Sequence, residues 1–323
     1  MLTRRGLIAA GATAAMPIWT RAANAQAYPD RPVRLISPYA AGGATDIIAR
    51  FVGHWLGERL NGTFVIENRA GSGSNIGTEA VLRAKPDGYT LLLASTANAV
   101  NATLYPNLKF DYLKESTQIG MIGTLPNVLV VHPSLPVRTL PEFIAYAKAN
   151  GDKMGIGLPG IGSPQHLSAA LFKSMTGLDV PFLQYKGGGP VINDLMGNHV
   201  QASFASSASS AEYIKAGSLR GIAVTSAKRL PLLPDLPAIA EVLPGYESVN
   251  FYGLSAPQGT PDAIVQALSR ELNAGLGNPA LTSKLEPTGL APIPMSPAEF
   301  GVFVAAETEK WGKVIKAAGI TME

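Results

Sequence analysis

The 323-residue chain contains no cysteine. This excludes a disulfide scaffold, a thiol nucleophile, a thiolate metal site and a lipid attached through cysteine. Charged residues make up only 15% of the chain, against 46% hydrophobic residues, a balance that fits a well-packed globular protein. The four histidines, His54, His132, His166 and His199, show no metal-ligand spacing. Nor is there a long apolar run: the stretch ending at Ile18 is too short and too rich in alanine and glycine to span a membrane. Internal repeats, low-complexity stretches and RNA- or DNA-binding motifs are all lacking.

The N-terminus has the build of an export leader. Arg4 and Arg5 form a twin-arginine start, and a small-residue apolar stretch follows. Ala23-Asn24-Ala25 and Ala25-Gln26-Ala27 are both cleavage signals of the A-x-A kind. Residues 1–27 are therefore expected to be removed, leaving about 296 residues, soluble outside the cytoplasm. The leader carries Arg4, Arg5 and Arg21 and no acid, so its loss lowers Lys+Arg from 26 to 23, equal to the 23 acids. A formally neutral mature chain gives no basic patch for nucleic acid.

Apolar β-rich runs alternate with helical patterns, which predicts an α/β fold with mainly parallel sheets. The expected strands are Val33–Ser37, Phe64–Glu67, Thr90–Ala94, Val128–Val131, Lys153–Leu158, Ala202–Ala205, Leu219–Thr225 and Gly253–Ala256. Capping boxes are expected at Thr139 with Glu142 and at Ser296 with Glu299. Ser163-Pro164 and Thr260-Pro261 each place an N-cap residue before a proline at the first helical position. The last helix, from about Pro297 to Ala318, turns Phe300, Phe303, Val304, Trp311, Val314 and Ile315 inward.

The most informative segment runs from Ser37 to Asp46. It follows the first apolar strand and precedes an amphipathic helix pattern carried by Ile47, Ile48, Phe51, Val52, Trp55 and Leu56. A loop of small residues opening a helix leaves backbone N–H groups unpaired, and with the helix dipole these attract an anion. A negatively charged small molecule is expected beside Gly42 and Gly43, reached by Tyr39, Ala40 and Ala41; a tight βα turn is the plain alternative.

These residues, with others along the chain, resemble the extracytoplasmic solute-binding proteins of tripartite tricarboxylate transporters, the Bug family. Tyr28-Pro29 with Arg31-Pro32 opens the mature chain in the family's manner, and Ser37-Pro38 through Gly42-Gly43 and Asp46 is similar to its first ligand loop. Glu67-Asn68-Arg69 with Gly71, Gly73 and Ile76-Gly77 resembles its second block, followed by Lys85 to Leu91. Gly160, Gly162-Ser163-Pro164 and His166-Leu167 continue the match, as do Tyr185-Lys186-Gly187, Leu219 to Ser226 and Leu233 to Pro237. Ala41 stands where the family more often has proline, and Ser72 and Ser74 where it often has alanine and glycine.

The resemblance implies a type II periplasmic-binding-protein fold, two α/β lobes joined by a two-crossing hinge. It places residues 28–127 with 250–323 in the first lobe and 128–249 in the second. It implies a receptor that holds a small carboxylate with backbone amides from both lobes and delivers it to membrane permease subunits, with no cofactor, as a monomer. A periplasmic sensor reporting to a signalling partner is the alternative within the same class.

Individual residues carry two readings each. Asp46 would repel an anion, so it orders the loop, bridges through water or meets a ligand ammonium. Gly162, Ser163, Gln165 and His166 start a second helix; Ser163 serves as N-cap and, with its own N–H free, as a ligand contact. Ser95, Thr96 and Asn98 end one strand and Ser206 and Ser207 another, as turn chemistry or as cleft donors. Lys186 precedes glycines instead of following them, so it is no phosphate-loop lysine; it neutralises a ligand charge or is solvated. Gly155 to Gly160 satisfies G-x-G-x-x-G, but with a proline inside and a late helix start. Ser163 and His166 lack a G-x-S-x-G elbow and a triad acid, so no enzyme is expected.

Overall fold

The computed structural model describes residues 28–39, 41, 44–185 and 188–320. The leader and Ala40, Gly42, Gly43 and Lys186 lie outside the described residues. The chain opens with β1 (Val33–Ser37), α1 (Ala44–Arg59), β2 (Phe64–Asn68), a 3-10 turn over Ser72–Ser74, α2 (Asn75–Leu82) and β3 (Thr90–Ser95). Then come α3 (Thr96–Leu104), α4 (Tyr112–Glu115) and the 16-residue β4 (Ser116–Val131). The middle of the chain gives α5 (Leu140–Asn150), β5 (Ile156–Leu158), α6 (Pro164–Thr176), β6 (Phe182–Gln184), α7 (Gly188–Met196), β7 (Ala202–Ser206), α8 (Ser207–Lys215) and β8 (Arg220–Val224). The chain closes with β9 (Val249–Pro257), α9 (Asp262–Leu276), α10 (Pro279–Leu285), β10 (Ala291–Pro292) and α11 (Pro297–Ala317).

The strands hydrogen-bond in the order β2-β1-β3-β9-β4-β7-β5-β6, with β8 and β10 also on β4. Pairing is parallel at both flanks, between β1 and its neighbours and between β5 and its neighbours. It is antiparallel throughout the middle, around β4 and β9. The expectation of mainly parallel sheets therefore holds only at the flanks. The central strands bury both faces and read as near-continuous apolar runs. Alternate residues serve opposite cores: Leu35, Leu91 and Leu93 face Trp55 and Leu268, whereas Ile36 and Leu92 face Phe251 and Phe300. In the second half, Leu129 and Val131 face Phe143, Phe172 and Phe204, while Val128 and Val130 face Leu195 and Leu219.

Strand β4 carries the architecture. Its first part, up to Pro126, pairs with β9, and its last part, from Asn127, pairs with β7 and β8. The sequence pattern placed a strand only from Val128, because Gly120, Gly123 and Pro126 interrupt the apolar run. Those glycines mark register shifts against β9. At Gly123 an added Cβ would lie 2.2 Å from the carbonyl oxygen of Ala291 in β10. The residue is glycine because another backbone approaches there.

Three smaller departures have local causes. Gly151–Lys153 is a 3-10 turn, so β5 starts only at Ile156. Pro261, not Thr260, is the N-cap of α9; the Thr260 hydroxyl instead donates to the Pro257 carbonyl at 2.8 Å. The strands β6 and β10 are two or three residues long, too short to show a period. The capping boxes at Thr139 and Ser296 are present, and α11 buries Phe300, Val304, Trp311 and Ile315, with Phe303 and Val314 partly buried.

A buried polar network sits where β4 changes partners. The Asn127 N–H donates to Thr225 Oγ1 at 2.8 Å, and its side-chain Nδ2 donates to Ser168 Oγ at 2.9 Å. The Ser168 hydroxyl lies 2.9 Å from the Pro164 carbonyl and 2.7 Å from Ser248 Oγ. Tyr246 donates to the Ser168 carbonyl at 3.0 Å. Ser168 and Thr225 are fully buried and Asn127 nearly so. Removing one partner leaves the others desolvated and unpaired, which costs about 1–3 kcal/mol. Asn127→Ala is expected to lose that much in urea unfolding at unchanged m-value; a wild-type midpoint would contradict the network's role.

Candidate functional site

The loop between β1 and α1 is braced from below. The Asn68 side chain donates from Nδ2 to the Tyr39 carbonyl at 3.1 Å and to Asp46 Oδ1 at 3.0 Å. Asp46 is buried in the first turn of α1, where Arg50 one turn later holds both carboxylate oxygens at 3.0 Å. A carboxylate so neutralised repels a neighbouring anion less than a bare one. Nearby, Glu67 bonds Arg34 and Arg69, and the Arg34 hydrogen bond first of all holds its carboxyl below the usual range.

The second loop is unusual in its backbone. Gly71, Ser72, Gly73 and Ser74 take φ of 137°, 47°, 61° and 84° in succession. For the two serines this region costs of order 1–2 kcal/mol each. Asn101 in α3 holds the loop, donating from Nδ2 to the Gly73 carbonyl at 2.8 Å and to Asn75 Oδ1 at 2.7 Å. The Tyr105 ring lies over it; a Cβ on Gly73 would stand 2.5 Å from the tyrosine oxygen. The Tyr39 hydroxyl faces Ser74 and Ser95, whose own buried hydroxyls have no well-aligned partner among the described residues. Burial raises the Tyr39 pKa, so it remains a neutral donor.

The strand-end residues turn out to be largely structural. Asn98 Oδ1 accepts from the Ser95 N–H at 2.9 Å, and Asn98 Nδ2 donates to Thr78 Oγ1 at 2.9 Å. Thr96 Oγ1 accepts from the Phe251 N–H at 2.9 Å, tying α3 to β9. The Ser206 carbonyl accepts from the Ser209 and Ser210 hydroxyls. Ser207 is fully buried against Gly289.

On the other side, α6 begins with a closed set of local bonds. Ser163 is the N-cap, accepting from the His166 N–H at 3.1 Å. Its own N–H donates to the Gly160 carbonyl at 3.3 Å, so the expectation of a free Ser163 N–H is corrected: the turn from Gly160 consumes it. The Gly162 N–H donates to His166 Nδ1 at 2.9 Å, which places the imidazole proton on Nε2. Gly162 has φ 73°, a conformation glycine adopts freely and valine does not. Gln165 is half-buried.

Between the two sides lies a cavity of about 190 Å³. The first half of the sheet contributes Tyr39, Gly73, Thr96, Ala97, Val100, Asn101, Leu104 and Tyr105; the second contributes Pro159 to Pro164 and Leu167. Of the residues expected from sequence, Tyr39, Thr96, Gly162 and Ser163 line it. Asp46, Ser95, Asn98, Gln165, His166, Ser206 and Ser207 stand outside its wall, and exposed Ala41 does too. Asn101, Leu104, Tyr105 and Ile161 were missed. Ala97, Val100, Asn101, Leu104 and Tyr105 fall at i, i+3, i+4, i+7 and i+8 of α3, a helical face that marks one surface. No described lining residue is charged. Among the described residues no cluster of histidine and acid could hold a metal, and no helix is long and apolar enough to cross a membrane.

His166 is 6% exposed, and burial pushes its pKa down to about 4. The folded protein thus keeps it neutral, while an unfolded chain protonates it below about pH 6.5. Its contribution is at its full value above that pH and falls as the pH drops from 6.5 towards 4, by up to about 3 kcal/mol. His166→Asn is expected to remove this part of the acid destabilisation. Melting curves from pH 7.5 to 4 check it: wild type and variant should converge or cross on acidification, and parallel profiles would contradict a buried neutral imidazole.

The chain is similar to known proteins over most of its length. The family model for the tripartite tricarboxylate transporter family receptor (TctC) matches residues 48–320. Rpa4515 of R. palustris, solved with adipate, is 37% identical, with a TM-score of 0.82 over 91% of this chain and 100% of that one. The periplasmic binding protein BugD is 33% identical, with a TM-score of 0.79 over 91% and 100%. MatC from Rhodopseudomonas palustris, solved with bound malate, is 26% identical, with a TM-score of 0.77 over 89% and 100%. With its mixed α/β fold matching these periplasmic binding proteins, the chain belongs to the tripartite tricarboxylate transporter receptor family of solute-binding proteins.

Proposed function

We propose that this protein is a periplasmic receptor that closes on one small carboxylate and passes it to the permease subunits of a membrane transporter. The observation that carries the reading is the cavity itself, lined from both sides of the β4 and β9 crossings by neutral donors and apolar groups. The carboxylates seen in Rpa4515 and MatC support the ligand class. In this reading residues 28–127 with 250–323 form one lobe and 128–249 the other, and they hinge near 127–131 and 249–253. The loop from Tyr39 to Gly43 supplies amides to the carboxylate, Lys186 is a candidate to neutralise its charge, and the protein works as a binding monomer without catalysis. The leader directs export, and the neutral mature chain acts in the periplasm.

Closure requires that the ligand touch both lobes. A Cβ on Gly162 would lie 2.7 Å from Leu104 Cδ1 of the opposite wall, at a φ that disfavours any side chain. Gly162→Val is therefore expected to weaken carboxylate binding at least a hundredfold, and Gly43→Val in the other loop should do the same. A thermal-shift screen over small carboxylates finds the ligand, since 100 Kd of it stabilises by about 2.7 kcal/mol. Wild-type affinity in both folded variants, or shifts with neutral sugars alone, would overturn the proposal.

A further inference from the structure

The cavity wall has a second character that the carboxylate reading leaves unused. Val100 and Leu104 of α3 and Leu167 of α6 belong to one buried apolar cluster, continued by Trp311 and Ile315 of α11. All three of the former also line the cavity. Ile161 joins them from the loop before α6 and is 47% exposed, a large apolar side chain bordering an open space. The wall is thus continuous and contributed by both halves of the fold.

Part of the polar lining already has partners within the fold. Both Asn101 Nδ2 protons go to the Gly73 carbonyl and Asn75 Oδ1. Thr96 Oγ1 accepts from Phe251, and Ser163 Oγ accepts from His166. The side-chain donors left on the described lining are neutral hydroxyls, those of Thr96, Tyr105 and Ser163, with the Tyr39 hydroxyl facing Ser74 and Ser95. No described lining residue offers a cation to a second carboxylate. A compact acid dense in carboxyl and hydroxyl groups would press desolvated polar atoms against Val100, Leu104, Ile161 and Leu167, and unpaired burial of such groups is unfavourable. An alkyl or aryl body against the same wall gains affinity, about fourfold for each methylene fully buried.

We infer that Leu104 and Ile161, backed by Val100 and Leu167, make this site select carboxylates that carry a short apolar body over compact hydroxylated polyacids. The inference rests on the carboxylate reading above. It assigns Leu104 and Ile161 as specificity-determining residues, acting by contact with the ligand's non-carboxylate end.

Calorimetric titration of the mature protein with propionate, butanoate, hexanoate, benzoate, malate and citrate tests it. Affinity is expected to rise two- to fourfold per methylene from propionate to hexanoate, with hexanoate at least tenfold tighter than malate or citrate. Ile161→Asn, at a half-exposed position that folding tolerates, should weaken hexanoate at least tenfold and change malate less than threefold. Leu104→Asn should act in the same direction; Ile161→Asn decides the matter if the buried Leu104 variant does not fold. Tighter binding of malate or citrate than of hexanoate overturns the inference while leaving the receptor reading intact. So does an equal loss for hexanoate and malate in an Ile161→Asn protein that melts like wild type. If no carboxylate of the series binds and a neutral solute does, the receptor reading falls first and the inference with it.

Discussion

One antiparallel pairing holds this molecule together: β4 against β9, from Ser116 opposite Pro257 to Pro126 opposite Val249. Both strands run through the centre of the sheet, and β4 continues beyond β9 to pair with β7 and β8. The second half also meets the first where Leu167 of α6 packs with Trp311 of α11 and where Ser207 of α8 lies against Gly289. The network of Asn127, Ser168, Thr225 and Ser248 sits at the end of the pairing and fastens the start of α6 to the crossing. The helix whose N-terminal loop lines the cavity is thereby bonded to the point about which the halves are proposed to turn. Beside it, α11 packs Trp311 and Ile315 against Leu104 on one side and Leu167 on the other.

The site follows a consistent chemical pattern. Carboxylates near it are neutralised within the fold: buried Asp46 by Arg50, and half-buried Glu67 by Arg34 and Arg69. His166 is held neutral by burial. What reaches the cavity among the described residues is hydroxyl, amide and hydrocarbon. Neutral donors of fixed orientation bind an anion without the desolvation cost that a buried cation would carry, and they release it more readily, as a receptor must. The run of positive φ from Gly71 to Ser74 is the fold's clearest local strain, stored where Asn101 and Tyr105 press the loop into the cavity wall.

The sequence made the flanking strands and the capped helices legible, because β1, β3 and α11 have clean periods and strong caps that act within one turn. It hid the first part of β4, where glycines serve a neighbouring backbone instead of a turn. It pointed to loops that border the cavity, although several of the side chains it named there stand outside the cavity wall. Of the strand-end residues, Asn98 stands outside the cavity wall and bonds Thr78, whereas Thr96 lines the cavity while its oxygen accepts from Phe251, both partners distant in sequence. Tyr105, Leu104 and Ile161 were overlooked for the opposite reason: apolar and aromatic residues read as core until the other half of the chain is seen to stop short of them. Gly42 and Gly43, on which the anion reading began, lie outside the described residues, as do Ala40 and Lys186.

The absence of cysteine makes the central claim directly measurable. Asn107 and Gln184 are exposed and lie on the two halves, Asn107 two residues after the cavity-lining Tyr105 and Gln184 one before Tyr185, whose carbonyl lies 3.8 Å from a Cβ built on Gly160. Spin labels on cysteines placed at these two positions report the separation of the halves by electron–electron resonance. The account predicts a broad or long distance without ligand and a shorter, narrower one once a tightly bound carboxylate is added. Saturating carboxylate binding with an unchanged distance distribution would contradict closure of two lobes over a shared ligand.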